Sequence, residues 1–125
     1  MPPLGVTREL DCQSIRIAAS KIVMLELRPT CENCNTPLSP DSTQAMICSF
    51  ECTFCRSCVE EILENVCPNC GGGFYPRPVR PKNDFKGGNC LGAYPPSKVV
   101  KHRPVIPAAH KRFAEAIKSI SPELR

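Results

Sequence analysis

Tryptophan is absent from this 125-residue chain, and two tyrosines and five phenylalanines are its only aromatics. The longest unbroken apolar run is the four-residue "IVML" at positions 22–25. The first shortage leaves little with which to build a large core. The second excludes a membrane-spanning helix, which needs about 20 apolar residues. The opening "MPPLGVTREL" lacks the basic start and apolar stretch of a secretory signal. Fourteen prolines stand against long regular elements.

What the chain has in excess is cysteine, ten residues in all, eight of them between positions 31 and 70. So short a segment cannot bury enough apolar surface to fold alone, and disulfides or a metal are expected to help. Without an export signal, clustered cysteines point to metal ligation in a cytoplasmic protein. Charge divides the chain into the same zones. Residues 1–30 carry +1, residues 31–75 carry −5 and residues 76–125 carry +8. An acidic, cysteine-rich centre therefore precedes a basic, proline-rich tail.

Four segments follow. Residues 1–23 form a weakly patterned extension, and Met24 is a plausible natural start, which would make Cys12 incidental. Residues 24–75 are expected to be a double-zinc domain. In it, "MLELRP" alternates as a short strand halted at Pro29, and "AMICSF" reads as a second strand. "CRSCVEEILENV" predicts a helix with Val59, Ile62, Leu63 and Val66 on one apolar stripe and Pro68 barring its extension. "GGGF" reads as a flexible exit. Residues 76–106 should be an extended basic arm, with seven prolines between positions 76 and 107. Residues 107–121 predict an amphipathic helix starting at Pro107, with Phe113, Ile117 and Ile120 as its apolar stripe.

The cysteine series reads Cys31-x2-Cys34-x13-Cys48-x3-Cys52-x2-Cys55-x2-Cys58-x8-Cys67-x2-Cys70. Eight thiolates make two tetrahedral sets of four, the geometry and softness that suit Zn2+, so two zinc ions per chain are expected. Each filled site can contribute on the order of 10 kcal/mol to folding. Two divisions are open. In the interleaved one, Cys31, Cys34, Cys55 and Cys58 hold one ion, and Cys48, Cys52, Cys67 and Cys70 the other. In the sequential one, the first four and the last four each hold one. A single zinc with spare cysteines is a third arrangement. Interleaving is preferred, because a helix after Cys58 carries the chain away from the first metal before Cys67. Cys90, in "GGNCLG", lies far from the series and is expected to be a free thiol.

The CxxC opening, the helix after Cys58 and the closing "CPNC" resemble a RING finger with cysteine in place of the usual histidine. That resemblance covers residues 31–70 and implies a small α+β, treble-clef-like cross-brace with short strands and one helix. LIM domains share the dense central run but need a longer gap than the eight residues after Cys58. A wider likeness spans "LELRPTCENC", "PLSPDSTQAMICSFECTFCRSCVEEILENVCPNCGGGFYPRPVRP" and "KHRPV". In these the chain resembles the small bacterial proteins of the family DUF1272, whose members usually begin near the equivalent of Met24. The likeness implies a bacterial, cytoplasmic setting and supplies no activity.

Several functions compete. Ubiquitin-ligase RING fingers commonly carry an aliphatic residue before the second cysteine and a basic one after the eighth. Asn33 and the glycines of "CGGG" stand there instead. Four thiolates leave a zinc no open position for water, and His102 and His110 in the tail read as solvent-facing or capping residues, so no enzyme is expected. The preferred reading is a non-enzymatic, zinc-stabilised module for an unknown protein partner, with Phe54 as its candidate contact and Phe50 in the small core. Nucleic-acid binding is the alternative. Arg77, Arg80, Lys82, Lys86, Lys98, Lys101 and Arg103 would meet phosphates, with Tyr75, Phe85 and Tyr94 interleaved for stacking. Against it, the arm can neutralise the acidic module, which two tetrathiolate zinc sites would take to about −9. Redox-driven zinc release is a further alternative. No membrane or small-molecule partner is indicated.

Overall fold

A computed structural model describes residues 24–125. The extension 1–23 and Cys12 lie outside the described residues. Strand β1 (Ala45–Ile47) pairs antiparallel with β2 (Thr53–Cys55) and with β3 (Tyr75–Pro76), giving a three-stranded sheet of order β2-β1-β3. Met46 sits opposite Phe54 on one side and Pro76 on the other. The turn between β1 and β2 closes on itself, with Cys48 N–H donating to Cys52 O at 3.2 Å and Glu51 N–H to Cys48 O at 3.0 Å. Helix α1 (Arg56–Cys58) follows β2 directly and widens into a π-helical turn, Val59–Leu63. Helix α2 (Pro107–Ala114) and a 3-10 turn (Pro122–Leu124) complete the elements.

The core sits between the sheet and the helical turn. Cysteines supply six of the thirteen residues in its main cluster, and sulfur therefore does much of the filling that large side chains do elsewhere. Its apolar centre is Phe54, whose ring meets Phe74 edge-on at 5.4 Å and 78°, with Met46, Leu38, Val59 and Leu63 around the pair. T-shaped aromatic pairs of this kind add about 0.5–1.5 kcal/mol beyond the area they bury.

Several expectations change. The helix stops at Leu63 rather than at Pro68, because Glu64 and Asn65 adopt left-handed conformations with φ of 53° and 59°. Val59, Leu63 and Val66 are buried, but Val66 arrives after that reversal, and Ile62 is left 36 % exposed. No strand forms at 24–28. The carbonyls of Leu25, Leu27 and Arg28 are instead taken by Arg80 Nη2 at 2.7 Å, Ser97 N at 3.0 Å and Arg77 Nη1 at 2.9 Å. These side-chain and single-amide partners satisfy the backbone without a ladder.

"GGGF" is not a flexible exit. Gly71 has φ of 80°, and a Cβ on Gly73 would lie 2.9 Å from Pro122 Cγ. Gly71 supplies the left-handed conformation of its turn, and Gly73 the close approach to Pro122. Helix α2 begins at Pro107 as expected and ends at Ala114. It turns His110 and Ala114 inward, while Phe113 and Ile120 stay partly exposed. From Arg77 to Ile106 the arm has no helix or strand, yet it is pinned to the module at many points.

Replacing Phe54 with alanine should cost about 3–5 kcal/mol, and replacing Phe50 less than about 0.5 kcal/mol. Denaturant unfolding of both variants, with metal present, checks the contrast.

Candidate metal centre

The first knuckle, Cys31-Glu32-Asn33-Cys34, is a tight turn. Asn35 N–H donates to Cys31 O at 2.9 Å, Asn35 takes the left-handed φ of 63°, and a bridge between Thr30 and Pro37 closes the base. It faces Cys55, the last residue of β2, and Cys58 in α1. The four Sγ atoms all lie within 4.8 Å of one another. Cys34 and Cys55 Sγ are 3.7 Å apart. Four sulfurs held tetrahedrally at 2.3 Å from a zinc ion would stand about 3.8 Å apart, so this spacing fits such an ion.

A second knuckle, Cys67-Pro68-Asn69-Cys70, closes through Gly71 N–H to Cys67 O at 2.7 Å and Cys67 N–H to Gly72 O at 2.9 Å. Its two sulfurs and that of Cys48 lie within 4.8 Å of one another. Cys52 adjoins them in hydrogen-bond contact with Cys67 and Cys48, although its sulfur is not within that distance of all three. Backbone amides point at the sulfurs throughout. Cys34 N–H donates to Cys31 Sγ, Phe50 to Cys48, Asn69 to Cys67 and Gly72 to Cys70, all at 3.3–3.4 Å. Such donors favour thiolate over thiol.

The two knuckles share one more device. Asn33 Nδ2 donates to Cys58 Sγ at 3.2 Å, and Asn69 Nδ2 donates to Cys52 Sγ at 3.4 Å. In each case the asparagine preceding the second knuckle cysteine reaches a sulfur of the opposite pair. Asn69 thereby ties Cys52 to the second group as Asn33 ties Cys58 to the first.

Electrostatics within the groups is unequal. The Cys67 thiol, donating to Cys52, brings Cys52 down to about 5, and the same contact pushes Cys67 up. Burial pushes Cys48 up to about 11 and raises Cys58 as well. Cys31 is buried too, yet amides of Cys34, Cys55 and Asn33 bring it below its ordinary value. Each group thus favours one anion, while burial raises Cys48 and Cys58 and the hydrogen bond to Cys52 raises Cys67. A divalent cation among them removes that inequality, and the donor set fits one.

The family model for DUF1272, described as a protein of unknown function, matches residues 24–80. An uncharacterized protein of Rhizobium meliloti (strain 1021) is 59 % identical over 63 residues, half of this chain and 75 % of that protein. The chain belongs to the DUF1272 family. No solved structure matches it significantly. All eight clustered cysteines of this DUF1272 member lie inside the matched segment, and residues 81–125 lie beyond it.

The sulfur groups that the fold brings together are Cys31, Cys34, Cys55 and Cys58, and Cys48, Cys67 and Cys70 without the expected Cys52; no group among the described residues combines Cys31 and Cys34 with Cys48. Other expectations are overturned. Phe54 is 1 % exposed and cannot be a contact surface, since pairing with β1 turns its ring into the core against Phe74. Phe50, expected inside, sits on the β1–β2 turn and is 70 % exposed. Arg77 is buried, with its guanidinium donating to the carbonyls of Arg28, Leu38 and Ser39. Arg80 donates to Leu25 and Tyr94, and Arg103 pairs with Glu32 at 3.0 Å. Only Lys82, Lys86 and Lys98 of the seven expected phosphate contacts are exposed and without such internal ties, while Lys101 is half-buried. His110 Nε2 meets Leu63 O at 2.9 Å, capping the π turn, and His102 meets Asn33 O at 3.1 Å. Cys90 is buried and disulfide-bonded rather than a free thiol.

Sequence reasoning missed Glu32, which is 1 % exposed. Its carboxylate accepts Thr53 N–H at 2.8 Å and Arg28 Nη1 at 2.7 Å, and its backbone N–H donates to Thr53 O. It missed Asn33 and Asn69 as well, though the shared pattern CxNC was visible in "CENC" and "CPNC".

Paired substitutions test the grouping. Cys31→Ser/Cys55→Ser should lose one of two bound metal ions, and Cys31→Ser/Cys48→Ser should lose both, as counted by native mass spectrometry. The sequential division requires the reverse.

Proposed function

We propose that the chain is a zinc-stabilised, RING-like cross-braced module that presents a rigid surface to a protein partner in the bacterial cytoplasm, without catalysis of its own. The observation that carries the reading is the interleaving of the two sulfur groups through one short hairpin. Four thiolates per ion make closed sites, which serve folding rather than chemistry. In a core that is largely cysteine, the ions supply cohesion that apolar side chains do not. The surface candidates are now Phe50, on the turn that carries Cys48, and Tyr75 on β3, which is 67 % exposed. Tyr75 lines a cleft of about 470 Å³ with Ile47, Gly73 and Pro122. Nucleic-acid binding has weaker support, since three of its seven cations are spent on internal contacts. No helix among the described residues is long and apolar enough to cross a membrane.

The purified chain should carry two zinc ions. Thiolate ligands must be deprotonated, so falling pH returns their protons and expels the metal. Acidification or chelation should therefore remove both ions and abolish the circular dichroism of the fold in the same step. A stripped chain that keeps its fold would refute the structural role. For the surface, Phe50→Ala/Tyr75→Ala should leave metal content and melting temperature unchanged while abolishing capture of partners that the parent chain retains. Undiminished capture of every partner would remove the two residues from the proposal.

A further inference from the structure

Residues beyond the family-matched segment reach back to both knuckles, and they do so at separate points. On the first knuckle, His102 Nε2 meets Asn33 O at 3.1 Å, Arg103 N–H donates to Glu32 O at 2.7 Å, and Arg103 Nη2 meets the Glu32 carboxylate at 3.0 Å. Val105 N–H donates to Asn33 Oδ1 at 2.9 Å. That last bond fixes the orientation of the Asn33 amide, whose other end donates to Cys58 Sγ at 3.2 Å. On the second knuckle, Arg125 Nη1 donates to Asn65 O at 2.8 Å and to Gly71 O at 3.2 Å, next to Cys70. Phe113 and Ile117 lie over Gly71, close enough that a Cβ there would be 3.7–3.8 Å from them.

We infer that the segment 102–125 is a two-point clasp that slows metal loss, with His102, Arg103 and Val105 holding the first centre and Arg125 the second. These are positioning residues, acting on the sulfurs through Asn33 and through the Gly71 turn. The inference rests on the metal-binding reading above. Its physical basis is that a ligand leaves a metal only if its loop can open. Hydrogen bonds from outside the ligand set raise the cost of opening, and their loss typically weakens metal binding about tenfold to a hundredfold.

The experiment uses the full metal-loaded chain, with zinc counted first. A chelator in excess is added together with N-ethylmaleimide, and mass spectrometry follows which cysteines become alkylated over time. His102→Ala/Arg103→Ala should speed labelling of Cys31, Cys34, Cys55 and Cys58 about tenfold and leave the second set unchanged. Arg125→Ala should speed only Cys48, Cys52, Cys67 and Cys70. Arg103→Lys alone, keeping the charge opposite Glu32, should restore most of the protection lost in Arg103→Ala. All the altered side chains except Arg125 are exposed, and Arg125 is only partly buried, so the variants should fold. A purified parent chain without zinc would overturn the metal reading and the clasp with it. Two bound zinc ions with unchanged labelling in the variants would overturn the clasp alone, and so would equal acceleration of both sets, the mark of general destabilisation.

Discussion

Everything in this fold is arranged around the requirement that one short strand serve two clusters of sulfur. Cys52 and Cys55 bracket β2 and are three residues apart, about 10 Å along an extended chain. One end of the strand therefore places Cys52 beside the second group, where Asn69 Nδ2 reaches its sulfur at 3.4 Å, and the other end supplies Cys55 to the first. The knuckles come to the hairpin from either side, and Thr53 and Phe54, caught between, have nowhere to go but inward. With so much of the interior taken by cysteine, one aromatic pair and Leu38, Ala45, Met46, Val59 and Leu63 complete the main cluster.

That the clustered cysteines gather into two groups was readable because ligand spacing is a local property, whereas the position of Cys52 outside the second group was not. Nor was the fate of individual aromatics. Phe50 and Phe54 have similar surroundings in sequence, and what separates them is the pairing of Phe54 with Met46 and the arrival of Phe74 from twenty residues on. The helix end was misplaced for a related reason. Pro68 is a visible stop, but the left-handed Glu64 and Asn65 come earlier, with Asn65 Oδ1 accepting Phe74 N–H at 2.9 Å. Such a conformation is set by a contact across the fold and leaves no pattern in the residues themselves.

The charge asymmetry was plain in composition, whereas its use was not. Neutralisation by ion pairs accounts for Arg103 with Glu32 and Lys118 with Glu64. Arg77 and Arg80 do something else, replacing a backbone ladder by donating to carbonyls of the segment that precedes the first knuckle. Guanidinium suits this task because its fixed fork of donors can satisfy several acceptors at once. Counting such residues as available for an external polyanion overstates the free basic surface of a proline-rich arm.

The two margins of the sheet are finished in different ways. Along β2, the Glu32 side chain takes the Thr53 amide that a neighbouring strand would otherwise seek. Along β3, Arg77 N–H turns toward Ala45, so the outward position falls to Pro76, which has no amide hydrogen to offer. A buried carboxylate and a proline thus leave a small sheet with little to template edge-to-edge aggregation.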